Sequence, residues 1–431
     1  MAITREAPSI YQHVVARGPP YERGVAHGQQ AATKVRANVE YYKTPGKLAS
    51  LETMQRIIKN IYIPNIKAHY PSGLEEMQGI ADGAGVSLED IVLLNARYDL
   101  ARLNEPDESD QPVTNGANGH HQDDYANECT SAVFLEQATK SGDVYNLQNW
   151  DMSARLWRDD CIIYLEIHPD PSEAKPSLFL VTEAGQLGRS GMNSLGLGVT
   201  ANSLMSTEDY TPRVGDTSKP VLPISLLRRM VLEAAHFAEV CTTIYNFPRH
   251  VSNNLTIATS EGFGVCFEIT PSREYKVYSN IDDHYLIHSN HFTDTAFLAR
   301  SDVSDRYPGG SSWFRRQRLE QGIRPYRHGL ITPELLRRCL SDHLGFPEAL
   351  CCHPDPSPDT IIGGLPGYPF RSASATVASV MYNLSQRKIT VCKGPPCKGV
   401  FQTFALEGPQ SLAGLGPGGK ILTDKQRPET P

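Results

Sequence analysis

The sequence predicts a layered α+β domain with two blocks of largely antiparallel strands, and three observations carry that prediction. The first hundred residues carry mainly helical patterns. From residue 129 onward come short β-rich runs separated by turns, with helices between them. Between these parts lies 104–126, a polar, Gly/Asn-rich stretch with almost nothing to bury, which reads as an exposed loop. Hydrophobic residues at 40% and charged residues at 21% suit a globular protein. A net charge of −7 leaves no basic footprint for nucleic acid. No run of about 18 apolar residues exists to cross a membrane. Nine cysteines, an odd number without a framework, fit reduced thiols and a cytoplasmic location. The N-terminus lacks an apolar signal core, and the C-terminal Pro-Glu-Thr-Pro is no peroxisomal address.

In chain order, residues 10–17 read as a strand, and Gly18-Pro19-Pro20 turns into a helix running from Val25 to about Tyr42. Residues 50–69 are helical by the spacing of Leu51, Met54, Ile57, Ile58 and Ile61. Helices follow at about Gly73–Ala84 and, behind the capping-box pattern Ser87-Leu88-Glu89-Asp90, at Ile91–Leu100. Strands are predicted at Thr130–Glu136, Val144–Asn149, Cys161–His168 and Ser177–Thr182. The glycines of 184–200 do not form GxGxxG opening a helix; they let strands turn and pack closely. Pro220–Phe247 reads as a helical region, followed by strands at Asn254–Thr259, Gly264–Thr270 and Glu274–Tyr278. Helices at Ser311–Gly322 and Thr332–Asp342 precede strands at Thr376–Asn383, Lys388–Cys392 and Gly399–Ala405. The organisation is therefore a helical part (1–103), a flexible linker (104–128), a second part (129–406) and a disordered tail (407–431).

Asn127-Glu128-Cys129-Thr130-Ser131 places a small nucleophile where the linker meets a buried strand. Cut between Glu128 and Cys129, the chain would gain a residue carrying thiol and α-amine together. With an amine pKa near 8, that amine could act as base for its own side chain. Alternatively Cys129 is a core cysteine that merely starts a strand.

Several segments, in order, resemble the acyl-coenzyme A:isopenicillin N acyltransferase family, the C45 group of N-terminal-nucleophile (Ntn) hydrolases. They are Gly18-Pro-Pro-Tyr-Glu-Arg-Gly24 with His27-Gly28, Glu75–Ala81 with Ile91–Arg97, Cys129-Thr-Ser, Gln148-Asn-Trp-Asp151, Thr182-Glu-Ala-Gly185, Gly191-Met-Asn193 and His288-Ser-Asn290-His291. The resemblance implies a four-layer αββα fold with two stacked, largely antiparallel sheets. It implies an inactive precursor that cleaves itself at Glu128–Cys129 into an α-chain (1–128) and a β-chain. The activity implied is amide acyl transfer or hydrolysis through a Cys129 thioester, of a kind used in secondary metabolism. The partners would be a small acyl-amide, an amine or acyl-coenzyme A, the last as a donor substrate, with no resident cofactor and no metal. Asp151 would hold the Cys129 ammonium, Asn290 would supply an oxyanion donor, and Ser131 would bond the amine or the scissile carbonyl. One departure stands out. Where the family has Ile-Cys-Arg, this chain has Leu350-Cys351-Cys352-His353, so Cys352 occupies the arginine position, and the charge is lost unless His353 or Arg371 replaces it.

That departure motivates the alternative of a non-catalytic or altered-substrate protein on the same fold. A zinc reading of Cys351, Cys352, His353, Cys392 and Cys397 lacks standard ligand spacing. The paired His and Asp of 120–124 read as a solvated loop. A papain-like reading of Cys129, His353 and Asn383 lacks the local cysteine-protease signature.

Overall fold

The computed structural model describes residues 9–103, 128–216, 218–307, 310–354 and 374–406. The predicted linker up to 127, the tail from 407 and Arg371 lie outside them. Strand β1 (Gln12–Gly18) leads into α1 (Pro20–Gln30), α2 (Ala32–Lys43), α3 (Leu51–Ile57), α4 (Ile63–His69), α5 (Pro71–Ala84) and α6 (Leu88–Leu100). The helix predicted from Val25 to Tyr42 breaks at Ala31 (φ −109°, ψ 16°). The break lets α1 lie along α5 while α2 turns onto α6. The helix predicted over 50–69 carries a π turn at Ile58–Tyr62 just before Pro64. The looser turn absorbs the N–H and the space that proline denies to the preceding turn. The capping box forms as read, with Ser87 and Asp90 bonding each other's backbone N–H.

Helices α1 and α5 touch backbone to backbone. A Cβ on Gly24 would lie 2.1 Å from the Glu76 carbonyl oxygen, and one on Gly79 would lie 2.1 Å from that of Tyr21. At the same contact Arg23 and Arg229 both bond the buried Glu76. Burial alone would raise the Glu76 carboxyl; Arg229 and Arg23 outweigh it and hold the pKa low.

The second part begins with β2 (Cys129–Phe134), β3 (Tyr145–Ser153), the turn α7 (Arg155–Arg158), β4 (Ile162–Pro169) and β5 (Leu178–Glu183). The glycine-rich stretch forms the short strands β6 (Ser190–Asn193) and β7 (Leu197–Thr200), which no alternation in the sequence marks. The helical region is two helices, α8 (Ile224–Leu232) and α9 (Phe237–Asn246), and Pro223 stands at the N-cap of the first. Strands β8 (Asn253–Thr259), β9 (Phe263–Ile269), β10 (Glu274–Tyr278) and the unpredicted β11 (Tyr285–His288) follow. The described residues end with α10 (Thr295–Leu298), α11 (Ser312–Ile323), α12 (Pro333–Leu340), β12 (Ser374–Asn383), β13 (Lys388–Lys393) and β14 (Phe401–Ala405).

These strands make two sheets, ordered β1-β4-β5-β6-β7-β8-β9-β10 and β11-β2-β3-β12-β13-β14. All pairings between these strands are antiparallel except β1 with β4. Three apolar clusters show the stacking. The first joins helices α1–α6, α8 and α9 to one face of the eight-stranded sheet, through residues such as Leu165, Leu180 and Ile257. The second lies between the sheets, where Tyr164 and Phe179 meet Val133, Trp150 and Val380. The third joins the far face of the six-stranded sheet to α11 and α12, through Phe134, Leu147, Leu319 and Leu336. The result is the αββα order of layers, and the alternation along β2 sends Cys129 and Val133 into the inter-sheet layer while Ala132 and Phe134 face the other way.

Candidate active site

Cys129 is the first residue of β2 and is fully buried. Its neighbours in the sheet, β3 and β11, decide what surrounds it. Cys129 pairs with Trp150, which brings Asp151 alongside; Ser131 pairs with His288, and the chain leaving β11 brings Asn290 back. The Glu128–Cys129 peptide is held on both sides. The Glu128 carbonyl accepts the Asp151 backbone N–H at 2.9 Å. The Cys129 N–H donates to Asn290 Oδ1 at 2.8 Å.

A residue absent from the sequence argument organises this corner. Arg315, fully buried on α11, donates to the Cys129 carbonyl and to Thr130 Oγ1, both at 2.8 Å, and to Asn290 Oδ1 at 2.9 Å. Its Nε donates to Ser311 Oγ at 3.0 Å and lies 3.6 Å from Glu128 Oε2. Ser311 in turn donates to Glu128 Oε1 at 2.6 Å. Burial works against the Arg315 charge, but Glu128 and Asp151 outweigh it and the guanidinium stays protonated. A positive charge therefore stands at this corner, on a different element from Cys352. His353 does not supply it; that side chain belongs to a separate cluster.

Asp151 is fully buried, with one oxygen bonded by the Thr376 hydroxyl at 2.5 Å and the other without a hydrogen-bond partner among the described residues. Burial raises its pKa to about 7, against the opposing pull of Arg315 and Thr376. Burial also raises the Cys129 thiol, and Asp151 adds to that, while Arg189 opposes it from 3.6 Å. Arg189 stacks on the Trp150 ring at 4.1 Å. The Nε atoms of Arg189 and of nearby Arg228 are buried without hydrogen-bond partners among the described residues. Desolvation, with Arg189 next in weight, lowers the Arg228 pKa to about 9. Neither Arg189 nor Arg228 forms an ion pair among the described residues; Glu183, already bonded by Arg97, acts on Arg189, and the three guanidiniums outnumber that one carboxylate at this end of the inter-sheet layer.

Two predicted roles need correction for the intact chain. Asn290 does not aim a donor at the scissile carbonyl: its oxygen faces the Cys129 N–H, because Arg315 donates to that same oxygen, and its Nδ2 donates to the Ser203 carbonyl at 3.0 Å. The N–H on the scissile carbonyl is the backbone one of Asp151. Ser131 donates to Asn202 Oδ1 at 2.7 Å, and Asn202 bonds the carbonyls of His288 and Ser289. Ser131 thus ties β2 to the segment that carries Asn290 rather than touching the scissile bond. Asn383 bonds Asp143 and Tyr145, where β12 pairs with the start of β3, away from Cys129, so the papain-like reading has no geometry. Arg315 had one signal in the sequence. With Leu319 and Ile323 it follows the i, i+4, i+8 spacing of the buried face of α11, amid arginines that otherwise read as solvated.

A nucleophilic side chain opening an inner strand of an αββα sandwich defines the Ntn-hydrolase class of architecture. Comparison with known proteins narrows this. Residues 138–398, more than half of the chain, match the family model described as acyl-coenzyme A:6-aminopenicillanic acid acyl-transferase. The chain belongs to this family. A protein of Emericella nidulans described as acyl-coenzyme A:6-aminopenicillanic-acid-acyltransferase 40 kDa form is 24% identical over 345 residues, covering 79% of this chain and 84% of that protein. Among solved structures, a mutant conjugated bile acid hydrolase from Clostridium perfringens aligns at a TM-score of 0.39 and 12% identity, over 65% of this chain and 98% of that one. Penicillin V acylase from Agrobacterium tumefaciens aligns at a TM-score of 0.39 and 13% identity, over 62% and 83%. No helix among the described residues is long and apolar enough to cross a membrane.

Proposed function

We propose that this chain is a self-processing amide acyltransferase or amidohydrolase whose nucleophile is Cys129. The observation that carries the reading is the grip on one peptide bond. The carbonyl of Glu128, the N–H of Cys129 and the carbonyl of Cys129 are each bonded by Asp151, Asn290 and Arg315 in turn, beside a buried thiol and a carboxyl with a pKa of about 7. In self-cleavage, the Asp151 carboxylate takes the thiol proton and the sulfur adds to the Glu128 carbonyl carbon. The Asp151 N–H stabilises the oxyanion. The C–N bond then breaks, the proton passes to the departing amine, and a thioester links Glu128 to the Cys129 sulfur. Water hydrolyses it, leaving Glu128 as a carboxylate terminus and Cys129 as a free N-terminal residue.

In turnover, the new α-amine takes the Cys129 thiol proton and the sulfur attacks a small acyl-amide or an acyl-coenzyme A. The leaving amine or thiol takes the proton, and an amine or water then accepts the acyl group from the thioester. Asp151 would pair with the ammonium, and no resident cofactor enters either step. Arg189 and Arg228 favour thiolate at Cys129 and a substrate that carries negative charge. The non-catalytic alternative rested on a missing guanidinium, and two guanidiniums, Arg315 and Arg189, stand within bonding reach of Cys129. The reading includes a reducing, cytoplasmic setting, in keeping with nine unpaired cysteines. Intact mass and N-terminal sequencing of the expressed full chain test it: the β-chain should begin Cys-Thr-Ser-Ala. An active preparation that stays a single chain would overturn it. Mass-resolved screening of acyl-amides and acyl-coenzyme A donors with amine acceptors then separates transfer from hydrolysis.

A further inference from the structure

Four side chains from three separate parts of the chain converge beside the candidate site. His343 follows α12, Cys351 and His353 lie on the segment before β12, and Cys397 sits in the turn between β13 and β14. His353 Nε2 is 3.1 Å from His343 Nε2, 3.4 Å from Cys351 Sγ and 3.4 Å from Cys397 Sγ. All four ligand atoms lie within 4.8 Å of one another. One imidazole nitrogen offers either one lone pair or one proton, so hydrogen bonding cannot satisfy three partners crowded on it. A cation at the centre can.

We propose that His343, Cys351, His353 and Cys397 form a structural zinc site. Zn–S distances of about 2.3 Å and Zn–N distances of about 2.0–2.1 Å imply edges of roughly 3.3–3.8 Å in a tetrahedral Cys₂His₂ shell. The three contacts at His353 already fall near those edges. The donor set is two soft thiolates and two imidazoles, which suits borderline-soft zinc, and the two thiolates neutralise the ion. Four protein ligands leave no open position, which separates this site from metal-assisted chemistry.

The site would fasten the segment that carries Cys352. The Cys352 N–H donates to Thr376 Oγ1 at 2.9 Å, and that hydroxyl donates to Asp151. Cys351 N–H bonds the Asp342 carbonyl at 2.9 Å, beside His343. The ion would therefore pin a loop to the β13–β14 turn one residue from the support of Asp151. The sequence spacing conceals this, because Cys397 comes from a distant strand connection and His343 lies outside the Cys/His-rich run. Of the cysteines in the sequence-based zinc reading, Cys352 and Cys392 are not among the four ligands.

The test is metal content of the full chain after dialysis under reducing conditions. About one zinc per chain is expected in the wild type, and less than about a tenth in the Cys351→Ser/Cys397→Ser variant. The Co²⁺-loaded protein should show the visible absorption of a tetrahedral site with thiolate-to-metal charge transfer. If the double variant fails to fold, exposed His343 gives the second readout. His343→Ala should lower zinc affinity by more than the 10–100-fold that outer-shell changes typically cost. Zinc below about a tenth of an equivalent after reduction and incubation with ZnCl₂ overturns the proposal. So does undiminished zinc in the double variant, an octahedral Co²⁺ spectrum, or a Cys351–Cys397 disulfide in protein that takes up no zinc once reduced.

Discussion

Cys351 and Cys352 are adjacent in the chain and both have no exposed surface, yet they serve different clusters. Cys351 Sγ faces the imidazole of His353 and shares a corner with Cys397. Cys352 faces the other way, toward Asp151, Glu128 and Arg315, and its backbone brackets Thr376 on both sides. Burial raises both thiols. Only Cys351 stands where a metal ion could reverse that by holding a thiolate; Asp151 pushes both thiols further up, and Glu128 adds to this at Cys352. Residue type and burial are equal in the two positions, so the partners alone decide what each sulfur can do. Variants that disable one cluster and spare the other test that division.

Cys129→Ala should have the largest effect. It removes the sulfur that would attack Glu128, so the chain should remain uncut and inactive by gel and mass spectrometry. Its zinc content should stay at the wild-type level, since Cys129 takes no part in the His343, Cys351, His353 and Cys397 group.

Arg315→Met should come next. It leaves Glu128 buried with Ser311 as its one side-chain donor among the described residues and withdraws the donors from Asn290 Oδ1 and the Cys129 carbonyl. Breaking a buried ion pair from one side costs about 3–5 kcal/mol. Denaturant unfolding of the Cys129→Ala background should show that loss without interference from processing. A cost under about 1 kcal/mol, the range of exposed pairs, would mean that Arg315 does not organise the corner.

Asp151→Asn should act through pH. Burial raises the folded-state pKa from 3.8 to about 7. The stability associated with that proton is fully present below the unfolded-state pKa near 3.9 and is lost as pH rises through about 7. Over the same window the ionised carboxylate becomes available as a base. Self-cleavage of the wild type should therefore accelerate as pH passes through about 7 while the Cys129→Ala chain becomes less stable. Asp151→Asn should flatten both curves. A rate profile in the variant with the same inflection would assign the base to another group.

These variants also mark what the sequence could and could not supply. The helical first part, the strand blocks and the capping box at Ser87 were legible because periodicity and caps are local. So was the placement of Cys129 at the head of a strand. The break at Ala31 was not, because it answers to where α5 and α6 lie. Strand β11 was missed although it lies next to β2, because its four residues carry no alternation. Arg315 was missed because its partners Asn290 and Cys129 lie far away in the sequence and only the fold brings them to it; His343, although close in sequence to Cys351 and His353, was missed because nothing local marks it as their neighbour and Cys397 comes from a distant turn.

Cys352→Ala should have the smallest effect and is the sharpest check on the opening contrast. It deletes one buried sulfur and keeps the backbone bonds to Thr376, so it should cost about 1–2 kcal/mol, as small core truncations do. Zinc content should be unchanged, because Cys352 lies outside the four-ligand group. Processing should also persist, because the guanidinium at the scissile bond comes from Arg315. If Cys352→Ala instead abolishes processing at unchanged stability and zinc content, then Cys352 does more than fill space beside Asp151. If Cys352→Arg restores or speeds processing, the guanidinium of Arg315 is not sufficient by itself. Either outcome, read by processing rate against melting temperature, would move Cys352 into the machinery around Cys129 and dissolve the division between the two neighbouring thiols.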